Sequence, residues 1–165
     1  MPEQAAGPAW PGPRKVVTVY LLTAAGTMVW LTGIVLDPYW HAQGVRWANL
    51  VHALYSPVCH QLPSRSFHAW GFPLGVCARC LGIYLGFAAG LAIYPVVRGW
   101  RRVRLPETRT FLAVSMPIVI DTAAVFLGVW GSPGPLRLAL GVLWGSILPF
   151  YFITGFAELT FRRHQ

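Results

Sequence analysis

Two short stretches carry most of the reactive side chains: CHQ at residues 59–61 and CARC at residues 77–80. Between them they hold all three cysteines of the chain, Cys59, Cys77 and Cys80, with His60 beside the first. Thiolate and imidazole together suit a transition metal, and three cysteines with one histidine are among the tetrahedral sets that zinc accepts. Cys77 and Cys80 stand at i and i+3 and are neighbours on one helix face, with Tyr84 one turn further along. Cys59 and His60 are adjacent, which strains ligation by both, so His52 and His68 remain open as sources of the fourth ligand. A c-type haem site is excluded, because Leu81 stands where that attachment sequence needs histidine.

The same residues admit two other readings. A C-x2-C pair at a helix N-terminus, near Arg79 or Arg65, favours the thiolate and could cycle with Cys59 in thiol–disulfide exchange. A membrane thiol oxidoreductase of this kind would pass electrons to a lipid quinone. Its outline is similar to that of the bacterial disulfide-generating quinone reductases, which use two cysteine pairs where this chain has three cysteines in all. The third reading is a static clamp pinning a loop to a helix, although a disulfide within one helical turn is strained. Metal binding at Cys59, His60, Cys77 and Cys80 is the lead expectation.

The elements that must position these residues follow from hydropathy. Of 165 residues 55% are hydrophobic and only 11% charged, and the mean hydropathy is +0.52. Soluble domains carry about 25% charge, so most of this chain is built for lipid. Apolar runs predict spans at about 16–36, 74–97, 110–130 and 136–160, the first ended by Asp37-Pro38. Residues 1–15 and 162–165 are tails. The loop 37–73 holds a short apolar helix at about 45–58, read as interfacial or re-entrant because it is too short to cross. The expected fold is all-α: an integral-membrane four-helix bundle in one domain.

Nine of the thirteen Lys and Arg fall in three patches: Arg14-Lys15, Arg98 to Arg109, and Arg162-Arg163. With four spans these patches share one face, and the positive-inside rule makes that face cytoplasmic. Both termini are then cytoplasmic and the Cys/His cluster lies at the external face of a multi-pass cell-membrane protein. Trp40, Trp47, Trp70 and Trp130 belong to the outer interface and Trp100 to the inner one. No basic stretch has the aromatic interleaving of a nucleic-acid reader, so the net charge of +8 reports topology rather than a nucleic-acid partner.

Asp121 is the one acid deep in a span, and such residues face the bundle interior with a partner. Arg137, across a short turn, is the expected partner, whereas Arg79 is expected to snorkel to the interface. Asp121, Arg137 and Arg79 are the residues a catalytic role would use. A static Asp–Arg tie, in a non-enzymatic scaffold or lipid-handling protein, is the alternative. Gly82, Gly86 and Gly90 form a stripe that lets another helix approach closely, within the chain or in a second copy. His41, His52 and His68 read as interfacial polar residues.

The runs SPVCHQLPSRSF and GFPLGVCARCLGIYLGF, with the later PIVIDTAAVFLGVWGSPGPLRLALGVLWG, resemble the signature of a prokaryotic integral-membrane family catalogued as domain of unknown function 2085. The resemblance covers roughly residues 45–150. It implies a common site of Cys59, His60, Gln61, Arg65, Ser66, Cys77, Arg79, Cys80, Gly82, Asp121 and Arg137, and it carries no activity with it. Thr122 departs from the glycine that the family tends to have after the aspartate.

Overall fold

A computed structural model describes residues 13–98 and 107–162. The expected N-terminal tail up to residue 12, Trp100 with most of the Arg98–Arg109 patch, and the last three residues lie outside the described residues. The elements are α1 (Pro13–Ala42), α2 (Ala48–Tyr55), a single 3-10 turn (Pro63–Arg65), a hairpin of β1 (His68–Ala69) and β2 (Phe72–Pro73), α3 (Ala78–Arg98), α4 (Thr108–Phe126) and α5 (Gly134–Arg162). Four of the helices are long and apolar enough to cross a membrane. Even α4, with 19 residues, is about 28 Å long at 1.5 Å per residue, close to the thickness of a bilayer core. The chain is an all-α membrane bundle.

The three largest departures from the expected helix boundaries each have a local reason. Helix α1 runs through Pro38 to Ala42 rather than stopping at Leu36. A proline removes one backbone bond, and here the turn beyond it is held by His41, whose Nδ1 lies 2.9 Å from the Asp37 carbonyl oxygen. Helix α4 ends at Phe126 although apolar residues continue to Trp130. Gly128 adopts φ +71°, and the Gly128 and Val129 N–H groups donate to Val125 and Ala124 at 3.2 and 3.1 Å. That is the paired bonding of a Schellman cap, which closes the helix whatever the hydropathy says. Helix α3 begins at Ala78, later than expected, because Leu74 is bonded instead to the Phe67 carbonyl at 2.8 Å.

The centre of the bundle is the seam between α3 and α5. Gly82, Gly86 and Gly90 lie against the backbone oxygens of Leu138, Val142 and Ser146, and Gly141 and Gly145 lie against those of Arg79 and Ile83. A Cβ at any of these glycines would overlap backbone atoms of the facing helix. The glycine stripe, on sequence grounds a possible face for self-association, is therefore occupied by α5 of the same chain. In lipid, where no hydrophobic force separates helix from acyl chain, such close contact is the main source of helix association.

Helix α1 covers this pair at both ends. Away from the loop, Val16, Val19, Leu91, Tyr94 and Ile153 form one buried cluster, and the Tyr20 hydroxyl donates to the Leu91 carbonyl at 3.1 Å. At the loop end, Ile34, Tyr55, Cys59 and Val76 form a second. Helix α4 leans on α5 through Phe111, Trp144 and Tyr151, and the Trp144 indole donates to the Ser115 hydroxyl at 2.9 Å. The loop itself is well built. Trp70 (φ +50°) and Gly71 (φ +84°) make a tight hairpin turn, and α2 exposes Leu50 and Leu54 while burying Tyr55, as a helix lying along an apolar surface does.

Candidate metal centre

The three sulfurs are brought together. Those of Cys59, Cys77 and Cys80 all lie within 4.8 Å of one another, with Cys59 buried and the other two half-buried. Cys77 sits at the cap of α3 rather than on its first turn: its carbonyl accepts the first helical bond, from Leu81, at 2.9 Å. Cys80 is then on the first turn, and its sulfur is 3.5 Å from that of Cys77. Cys59 reaches them from the far side of the loop. The Cys77 N–H donates to the Cys59 sulfur at 3.2 Å, and the Gln61 N–H donates to it at 3.4 Å. The Cys80 thiol, hydrogen-bonded to Cys77, holds the Cys77 thiol below its ordinary range, against the opposing effect of its burial.

Gln61 locks the loop in this position. Its backbone is left-handed, with φ +50°, a conformation that glycine adopts freely and other residues seldom do. From there its side-chain amide donates to the His52 and Gly75 carbonyls, both at 2.8 Å. One side chain thus ties the end of α2 to the segment entering α3, on either side of Cys59. Gln61→Glu puts an acceptor against both carbonyls, and is expected to lower stability by about 2–3 kcal/mol, read as thermal unfolding of the protein in detergent.

His60 is exposed and stands outside the sulfur cluster. It lines a pocket of about 270 Å³ with Cys77, Cys80, Arg65, Arg79 and Arg137. His52 and His68 are not in the cluster either. His52 Nδ1 instead meets the Asp37 carboxylate at 2.7 Å, and His41 Nδ1 lies 3.4 Å from the other oxygen. Asp37 is fully buried, so these two histidines are partners of a buried acid, a contact the interfacial reading did not foresee. A hint was present in the sequence, since Asp37 and His41 are at i and i+4, but reading Asp37-Pro38 as a helix stop concealed it.

Asp121 is buried as expected, but its partner is Arg79 and not Arg137. The glycine seam draws α3 against α5 closely enough that the first turn of α3 reaches α4, and Arg79 meets the Asp121 carboxylate there. Arg137 stays in the pocket beside the cysteines. Asp121→Asn is expected to cost about 3 kcal/mol, the lower end for breaking a buried pair, because Arg79 is partly exposed. The double variant with Arg79→Gln should recover much of this loss, and a double-mutant cycle on thermal stability measures it.

The family described as "Predicted membrane protein (DUF2085)" matches residues 59–151. A relative described as "Uncharacterized protein MJ1492", from Methanocaldococcus jannaschii, is 30% identical over 152 residues, covering 88% of this chain and 97% of its own length. No solved structure matches the chain.

Proposed function

The chain belongs to the predicted membrane-protein family DUF2085, and we propose that it binds a transition metal, zinc, at Cys59, Cys77 and Cys80. The observation that carries this is the three-sulfur cluster, closed around one point from two separate segments. Zinc–sulfur bonds of about 2.3 Å at tetrahedral angles put sulfurs about 3.8 Å apart, and the Cys77–Cys80 separation of 3.5 Å is close to that. The two N–H groups directed at the Cys59 sulfur support the same reading, since donors of this kind orient and stabilise a ligating thiolate.

Three sulfurs leave one tetrahedral position. His60, which lines the same pocket as Cys77 and Cys80, or an incoming ligand would fill it. A metal held there would fasten the loop to α3 and supply a Lewis acid in a pocket lined by three arginines. Arg79 and Arg137 line the same pocket as Cys77 and Cys80, and Asp121 would act there only by holding Arg79. Positive charge at Arg14, Lys15 and Arg109, at the bundle end remote from the cysteines, supports a cytoplasmic placement of that end and an external metal site.

A second reading has one observation of its own. A groove of about 480 Å³ lies one helical turn beyond Cys80, lined by Trp30, Val58, Tyr84 and Phe87, and it could take the ring of a lipid quinone in a thiol–disulfide cycle. Elemental analysis of protein purified in mild detergent without chelator, with a thiol count before and after reduction, separates the two. About one zinc per chain is the expected result. No metal, with two thiols appearing only on reduction, would overturn the metal reading in favour of the second.

A further inference from the structure

We infer that the chain binds a phosphate-class oxyanion in a second pocket, on the other side of Arg65 and Arg137 from the cysteines. This pocket has a volume of about 430 Å³ and is lined by Arg65, Arg137, Ser132, Ala78 and Gly134 among others. The inference is independent of the metal reading, since no cysteine lines this pocket.

Several independent features give it the character of an anion site. Neither arginine has a carboxylate partner among the described residues, and the Arg137 Nε is buried without a hydrogen-bond partner. Ser132 is only 4% exposed, and its hydroxyl has no hydrogen-bond partner among the described residues. A buried hydroxyl without a partner is destabilising, and a bound acceptor in this pocket would remove that cost. Ala78 and Gly134, the first residues of α3 and α5, both border it, so the positive ends of two helices point at one cavity. The seam makes this convergence unavoidable, because two parallel-running helix starts locked by glycine contact must open side by side. Guanidinium forks, a hydroxyl and helix amides are the donor set that suits the several oxygens of a phosphate.

A phosphate group can come from the headgroup of an anionic lipid or from a soluble phosphate. The test is thermal unfolding of the full chain in an uncharged maltoside detergent. Inorganic phosphate is titrated against chloride at equal ionic strength, and short-chain phosphatidylglycerol against short-chain phosphatidylcholine. A saturable rise in unfolding temperature with phosphate identifies the soluble source, and one with phosphatidylglycerol alone identifies the lipid. In either case Ser132→Ala and Arg137→Gln should weaken the apparent affinity at least tenfold. Ser132→Ala removes no internal hydrogen bond, so it keeps the test decisive if Arg137→Gln folds poorly. A flat response to both ligands, or an equal response in Ser132→Ala, overturns the inference.

Discussion

Cys77→Ser should reduce bound zinc from about one per chain to less than about a tenth of that, while leaving a folded protein. Cys77 holds the site in two ways: it contributes a sulfur, and its N–H donates to the Cys59 sulfur. Serine keeps the N–H and removes only the sulfur, so the loss reports ligation. Cys59→Ser and Cys80→Ser should do the same. His60→Ala should lower affinity by more than the about 10–100-fold typical of losing an outer-shell partner if the imidazole fills the fourth position, and leave it unchanged if an exogenous ligand does. Inductively coupled plasma measurement of each cysteine variant, after exchange into chelator-free buffer, gives its stoichiometry, and competition with a zinc chelator gives the affinity of His60→Ala. The redox alternative makes a different forecast for Cys59→Ser, which would still form a reducible Cys77–Cys80 pair. Zinc held at full stoichiometry by Cys77→Ser would refute the site.

Gly86→Val should abolish the folded bundle. A Cβ at residue 86 meets the Val142 carbonyl oxygen and Cα and the Ser146 nitrogen, all backbone atoms that cannot rotate away. Overpacking a close contact costs about 1–3 kcal/mol when side chains can adjust, and this substitution must force the two helix backbones apart along their whole seam. The expected readout is loss of the monodisperse peak in detergent size-exclusion chromatography. Gly26→Val is the control: nothing lies within 4 Å of a Cβ there, and its profile should match the parent. Because the seam is internal, the failure should appear at any protein concentration, which separates it from a weakened dimer.

Hydropathy was enough to foresee four spans, and i, i+3 spacing was enough to pair Cys77 with Cys80. The meeting of Cys59 with them was expected from the zinc ligand set and from the resemblance, and the structure brings it about through the Gln61 amide. What sequence could not decide were contacts between elements. Arg79 and Arg137 are equally good partners for Asp121 on charge alone; the choice depends on how closely α3 approaches α5, a distance set by five glycines on two helices. Likewise Asp37 looked like punctuation before a proline, because its burial arises from α2 folding back to bring His52 against it. The left-handed backbone at Gln61 carries no sequence mark, since glycine would be the expected residue there.

The glycine seam also decides which segments at the loop end can adjust. Cys77 and Cys80 start one helix and Arg137 starts the other, and the two backbones are pressed together with no side chains between them to slide or tilt. These groups behave as the fixed jaw of a caliper. Cys59, His60 and Arg65 form the opposing jaw, carried by a loop whose clasp is two hydrogen bonds from one amide. Whatever enters is gauged against an edge that does not yield, and accommodation for its size has to come from the loop alone.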